Sequence, residues 1–511
     1  MLTLHPGQIS MAQLRTMAER FEPIVLSADC RPGIRRAAEE VQRIVSRGAP
    51  AYGINTGFGK LAKVHIPDQQ LEQLQANLVR SHASGMGPLL DDDCVRLILA
   101  MKIASLARGY SGVRESTVDT LLALYNARIH PCIPSQGSVG ASGDLAPLAH
   151  LTLALMGEGN VRVDGEQMEA AVALSRAGIV PVRLAAKEGL ALLNGTQVSA
   201  GIAIMALFEA ETVFSAAMMA GSLSTEAARG SHAPFDERVH AVRGQPGQIR
   251  TAACYRELLE GSEIRSSHLH DDDRVQDPYS LRCQPQVMGA CLDLLRQCAA
   301  TLEVEANAVS DNPLIFTATG DVISGGNFHA EPVAFAADML AIAVSEIGAL
   351  AERRIALLID AAQSGLPPFL VADAGINSGF MIAHVTAAAL ASENKTLAHP
   401  GSIDSMPTSA NQEDHVSMAT FCARKAREVV ANVRKIIAIE LLAACQGVDF
   451  LRPLRSSGVL ERVHSHVRAS VLHYAQDRFM APDMVAVDRM IQDGCLRQFF
   501  HLGLASTPDS A

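Results

Sequence analysis

MLAIAVSEIGALAERRIALLI, residues 339–359, puts apolar side chains on nearly every face of a helix. A helix of that kind is buried, either in a bundle or against another subunit. Working outward, segments 198–228, 283–309 and 333–362 carry the same pattern. From Ala410 to Cys445 there is neither Gly nor Pro, and apolar residues recur at 419, 426, 430, 433, 437 and 441. Gly447 offers a C-terminal stop to that segment, which at 1.5 Å per residue is a rod of roughly 50 Å. Strand signals are few. LIFTATGDVIS (314–324), around Gly320-Asp321, and VRVDGEQ (161–167) read as small hairpins. Arg250 to Val275 reads as polar and irregular. The expectation is a mainly α fold, with a smaller mixed N-terminal part over residues 1–200 and a long-helix bundle with a C-terminal cap over 201–511.

Composition narrows the function. Of 511 residues, 48% are apolar and 19% charged, which excludes intrinsic disorder. A net charge of −11, only 4% aromatics and no Trp argue against nucleic acid or an anionic membrane as partner. The apolar stretches 197–223 and 333–351 are interrupted by Glu209, Glu211, Asp338 and Glu346, so no membrane span is expected. The start, MLTLHPGQISMAQLR, lacks the basic and apolar regions of a signal peptide. Ten cysteines without a CxxC pair read as reduced thiols, hence a cytoplasmic location and no zinc site.

Several weak motifs carry little. Gly57-Phe58-Gly59 begins a GxGxxA string, but no βαβ alternation surrounds it. Ser392-Glu393-Asn394-Lys395 matches SxxK without its partner motifs. His268-Leu269-His270 and the following aspartates read as a solvated polar loop, and His464 and His466 as surface. No metal is expected.

Gly137-Ser138-Val139-Gly140-Ala141-Ser142-Gly143-Asp144 is different. Asp144 reads as an N-cap before Pro147 in a first helical turn, but capping does not explain the crowded glycines and serines. A sharp bend lets the Gly143 nitrogen attack the Ala141 carbonyl carbon, since glycine has no side chain in the way. Loss of two waters then leaves an imidazolone ring with an exocyclic double bond from Ser142. That ring is a strong electrophile, and the following helix N-terminus favours negative charge developing on it.

With this string, the chain resembles the aromatic amino acid ammonia-lyase family, whose prosthetic group is 4-methylidene-imidazol-5-one (MIO). The resemblance covers essentially the whole chain. It includes Tyr52-Gly53-Ile54-Asn55-Thr56-Gly57-Phe58-Gly59, Asn194-Gly195-Thr196, Gln276-Asp277-Pro278-Tyr279-Ser280-Leu281-Arg282, Asn327-Phe328-His329 and Asn411-Gln412-Glu413-Asp414-His415. Ser81-His82 and Glu413 are similar to the family's histidine-acting members.

The resemblance implies a carbon–nitrogen lyase converting L-histidine to trans-urocanate and ammonia, the first step of histidine breakdown. Its MIO comes from Ala141-Ser142-Gly143, without pyridoxal phosphate or a required metal. It implies Tyr52 as base, although a tyrosine with a reference pKa of about 10 needs help to act near neutrality. Gln276, Tyr279 and Arg282, spaced by three, fall on one side of a tight helical turn. Arg282 offers a bidentate fork for the substrate carboxylate. Asn194 and Tyr279 are implied as hydrogen-bonding partners of the ring or amino group, and Phe328 as packing against the loop. His82 and Glu413 are implied to face the substrate imidazole. Helices apolar on all faces need partners, and the resemblance implies a homotetramer with active sites shared between chains.

Three rivals remain. A tyrosine or phenylalanine lyase or aminomutase of the same family is disfavoured by Glu413 in place of an amide. A helical lyase of the fumarase and aspartase type shares the bundle, but its GSSxxPxKxN loop is absent. A non-catalytic helical assembly does not account for polar motifs at six separate places.

Overall fold

The computed structural model describes residues 1–48, 50–57, 59–61, 63–269 and 275–507. The His268–Asp273 string therefore lies partly outside the described residues, as does Phe58. The fold is mainly α, as expected. Its long helices are Gln197–Ala227, Gln284–Ala306, Glu331–Ile359 and Ala419–Phe450. Alanines and glycines let their backbones approach closely. A Cβ on Gly348 would lie 2.8 Å from Val433 Cγ2, and one on Gly447 would lie 2.7 Å from Ala227 Cβ. Gly447 is thus a packing residue and not a stop, and its helix continues to Phe450. Gln197–Ala227 and Glu331–Ile359 are long and apolar enough to cross a bilayer, yet 83% and 67% of their apolar windows are buried inside the protein.

The chain divides into two compact units. The first comprises Met1–Met205, Ala299–Asp338 and Pro400–Arg424; the second comprises Ala206–Cys298, Met339–His399 and Lys425–Ala511. The expected boundary at residue 200 falls near the first changeover. The return of two later segments to the first unit was not legible from linear order.

The first unit holds the strands. Leu2–Leu4 pairs in parallel with Ile24–Leu26, and Met86–Leu89 pairs antiparallel with Pro134–Gln136. His130–Pro131, Asn160–Val163 and Glu166–Glu169 form a three-stranded sheet, and Leu314–Phe316 pairs with Asp321–Ile323. Both expected hairpins are therefore present. The first turns through Asp164 and Gly165 at φ +49° and +85°, the mirror-image turn that suits tight hairpins. The helix Asp92–Ala107 is buried along most of its length, with Lys102 among its buried residues. Asp91 caps it, accepting from the Cys94 N–H at 2.8 Å.

In the second unit Arg354 Nη2 donates to Glu440 Oε2 at 2.9 Å, and Ser224 Oγ donates to the same carboxylate at 2.8 Å. Both charged side chains are fully buried, so removing either one leaves an unpaired charge in the core.

Three sequence expectations are corrected here. Residues 410–418 are not α-helical: Ser409, Ala410, Asn411 and Met418 hold positive φ, and the long helix starts at Ala419, whose N–H donates to Ser417 Oγ at 3.2 Å. Much of 250–275 is helical, as Pro246–Leu259 and Glu263–Ser266. Buried Ala252, Tyr255, Leu258 and Leu259 give the first of these an apolar face that its arginines masked. His464 is buried, with Nε2 2.7 Å from Asp449 Oδ1. None of the ten cysteines is joined in a disulfide.

Candidate active site

The loop Gly137 to Asp144 feeds the helix Leu145–Leu155. Gly143 holds φ +73°, and a Cβ there would lie 2.3 Å from the Gly195 carbonyl oxygen. Conformation and space both demand glycine. The loop is clamped by two segments of the same unit. From one, Gly195 C=O accepts the Asp144 N–H at 2.7 Å, and Asn194 Nδ2 donates to the Ser142 carbonyl at 2.7 Å. From the other, the Met418 N–H donates to Val139 C=O at 2.8 Å, and Ser417 Oγ donates to Gly140 C=O at 3.0 Å.

Asp144 occupies the N-cap position but makes no side-chain capping bond. Its buried carboxylate instead gathers the segments. It accepts from Ser138 Oγ at 2.9 Å, Thr420 Oγ1 at 2.8 Å, and Ser199 N and Oγ at 2.7 and 2.9 Å. Burial nevertheless pushes this carboxyl above the usual carboxylate range.

A cavity of about 870 Å³ opens beside the loop. Tyr52, His82, Ala141, Ser142, Asn194, Phe328 and Glu413 all line it. Residues far apart in sequence, each expected at the site, thus meet in one unit. The Ser142 hydroxyl donates to Glu413 Oε1 at 2.7 Å. Glu413 Oε2 accepts from Thr408 Oγ1 at 2.7 Å and Ser409 Oγ at 2.9 Å. Partial burial raises the Glu413 pKa, but these three hydroxyls and the charge of nearby His82 outweigh it and hold the carboxyl below its ordinary value. His82 Nδ1 lies 2.8 Å from the Leu78 carbonyl. A carbonyl only accepts, so this contact puts a proton on Nδ1. The Tyr52 hydroxyl accepts one long bond, from the Gly59 N–H at 3.4 Å.

Gln276, Tyr279 and Arg282 belong to the other unit, and none is among the residues lining this cavity. Tyr279 and Arg282 share the short helix Tyr279–Arg282, and the Arg282 guanidinium sits 4.5 Å over the Tyr279 ring. Gln276 precedes the N-cap Pro278 and so lies outside the turn that was expected to hold all three. Tyr279 is 70% exposed.

Sequence reasoning missed Thr408 and Ser409, and it missed Lys102, whose Nζ donates to the Asn194 carbonyl at 2.7 Å. A lone lysine inside VRLILAMKIASLA was the available signal for the last. Among the described residues, the one group of metal-type donors is His329, Glu331 and His415, whose ligand atoms lie within 4.8 Å of one another. The two imidazoles stack at 5.6 Å.

The model of the aromatic amino acid lyase family matches residues 9–469. Over 503 residues the chain is 61% identical to a histidine ammonia-lyase of Aromatoleum aromaticum, covering 98% of this chain and 95% of that protein. The crystal structure of histidine ammonia-lyase from Trypanosoma cruzi matches with a TM-score of 0.92 at 40% identity, over 100% of this chain and 99% of that one. A tyrosine aminomutase from Streptomyces globisporus matches with a TM-score of 0.92 at 36% identity, over 99% of each chain.

Proposed function

The chain belongs to the aromatic amino acid lyase family, and from that membership we propose that it eliminates ammonia from L-histidine to give trans-urocanate. The observation that carries this reading is the convergence of Asn194, Glu413 and His82 around Ser142 in one cavity. The fold alone is shared with a tyrosine aminomutase; a carboxylate acceptor in the pocket favours an imidazole substrate, with its N–H, over a phenyl ring, which has no donor.

Ala141-Ser142-Gly143 fit the MIO group. The Gly143 backbone is held in a left-handed bend, the Ser142 carbonyl has a dedicated donor in Asn194, and Asn194 Oδ1 is buried with no hydrogen-bond partner among the described residues. When formed, the group supplies an electrophile that turns the substrate's amine into a good leaving group. The rest falls to ordinary side chains. Glu413, kept ionised by Thr408 and Ser409, accepts the substrate's ring N–H. His82 presents Nε2 to the same end of the pocket. Tyr52, acting as the phenolate, accepts the β-proton at its oxygen and becomes the neutral phenol. Asn194 keeps the Ser142 peptide in place, and the helix starting at Leu145 favours negative charge near it.

Arg282 binds the substrate carboxylate, with Gln276 and Tyr279 beside it. In this reading a partner chain supplies them, in a homotetramer with shared sites. The exposure of Tyr279, and of Ile382 and Val385 on the helix Met381–Leu397, supports it. We place the enzyme in the cytoplasm, with no metal required. Intact mass tests the central modification. The active protein should be lighter than its sequence by about two waters, the stoichiometry of ring closure and dehydration. Ser142→Ala should lack the serine-derived loss and nearly all turnover. An unmodified mass in a fully active preparation would falsify the reading.

A further inference from the structure

Lys102 is a buried cation that the reaction as described does not use. It stands in the middle of the helix Asp92–Ala107, and its side chain is almost fully buried. Its ammonium donates to the Asn194 carbonyl at 2.7 Å. Burial pushes its pKa down to about 7, against the pull of Asp311 and Asp144, with Lys187 adding to the fall. Lys187 is itself committed to Asp311, at 2.7 Å. Among the described residues, no carboxylate lies within hydrogen-bonding distance of Lys102; its hydrogen-bond acceptor is the Asn194 carbonyl.

That peptide is the template for the modified loop. The Asn194 side chain holds the Ser142 carbonyl, Gly143 bridges Gly195 in parallel, and the Gly195 carbonyl accepts the Asp144 N–H. Three successive loop residues are therefore registered against Asn194-Gly195, and Lys102 is what pairs the Asn194 carbonyl. We propose that Lys102 is a positioning residue: it fixes the Asn194-Gly195 turn in the register that brings the Gly143 nitrogen onto the Ala141 carbonyl.

The inference rests on the reading that Ala141-Ser142-Gly143 cyclises. In that step the Gly143 nitrogen bonds to the Ala141 carbonyl carbon, and its proton passes to the oxygen. The resulting hydroxyl leaves with the Ser142 amide proton as one water, giving a carbon–nitrogen double bond. The Ser142 hydroxyl leaves with the α-proton as the second water, giving the exocyclic double bond. No oxidant is consumed. Every part of this chemistry depends on relative placement of backbone atoms. Losing Lys102 leaves the Asn194 carbonyl buried and unpaired, and rotating that peptide to relieve it carries the Asn194 amide off Ser142.

The test compares Lys102→Met, Lys102→Gln and Leu97→Ala, purified as full-length protein. Leu97 is fully buried on the same helix and controls for lost stability. Intact mass reads the dehydrated fraction, and turnover is measured on histidine. The Met variant is expected to dehydrate at least about tenfold more slowly, and to lower kcat while KM moves less than about threefold. The Gln variant, which keeps an N–H donor, is expected to lie between Met and wild type, and it carries the test if Met does not fold. Leu97→Ala is expected to dehydrate fully. Complete dehydration of both Lys102 variants at wild-type rate, or an equal defect in Leu97→Ala, overturns the proposal. Wild-type protein without any mass deficit overturns instead the reading on which it rests.

Discussion

Ser142 and Glu413, 271 residues apart in sequence, meet through a 2.7 Å hydrogen bond from hydroxyl to carboxylate. Dehydration of Ser142 removes that donor and leaves Glu413 Oε1 facing the cavity with an acceptor to fill. A substrate imidazole N–H fills it, whereas a phenyl ring leaves a buried acceptor unpaired at about 1–3 kcal/mol. Glu413→Gln should therefore lower kcat/KM for histidine at least about tenfold, near 1.4 kcal/mol. Any trace turnover of phenylalanine should stay level or rise. Steady-state kinetics on both substrates check this, and an unimpaired Gln variant removes Glu413 from substrate choice.

The ionisation of Glu413 is held by its neighbours. Burial raises its pKa, and hydrogen bonds from Ser142, Thr408 and Ser409 with the charge of His82 bring the net below the ordinary value. Removing the donors of a Thr408→Val, Ser409→Ala double variant lets burial dominate, so the folded-state pKa rises. Activity that needs the carboxylate is then lost at a higher pH as acid is added. The acid limb of kcat/KM should move upward in the double variant, and an unmoved limb contradicts the assigned role.

Gly143 is constrained twice, by φ +73° and by the Gly195 carbonyl only 2.3 Å from where a Cβ would stand. Gly143→Ala should accumulate at full translated mass, because the nitrogen can no longer approach Ala141. Turnover should fall in step with the missing mass deficit. A variant that still loses two waters would show that the bend is not required.

Tyr52 lines the cavity, and Arg282 belongs to the other unit and does not. If neighbouring chains complete each other's sites, Tyr52→Phe and Arg282→Ala are each impaired by about 10²–10⁴-fold. Both keep the mass deficit. Dissociating and reassociating a mixture should restore part of the activity, since some sites then draw an intact Tyr52 and an intact Arg282 from different chains. Absence of any recovery in verified mixed oligomers places the whole site within one chain.

Much of this was legible in the sequence, for identifiable reasons. Near-continuous apolar residues over helical lengths located Gln197–Ala227 and Glu331–Ile359 closely. The Asp164-Gly165 turn announced its hairpin. The glycine-crowded Gly137–Asp144 string announced chemistry because no structural need accounted for it. The same rules failed at 410–418, where helix-compatible residues adopt positive φ to bring Glu413 against Ser142. They failed at Gly447, whose role depends on Ala227, a residue no local pattern can supply. Asp144 was legible as a helix start but not as the buried acceptor for Ser138, Ser199 and Thr420, because those partners arrive only with the tertiary fold.

The most direct test of the account is the turnover of L-histidine, L-tyrosine and L-phenylalanine by the same preparation, with product absorbance and released ammonia measured together. The account predicts urocanate and ammonia in equal amounts from histidine, with the other two amino acids turned over far more slowly. Equal or faster turnover of tyrosine or phenylalanine, or their conversion to β-amino acids without ammonia release, would contradict it.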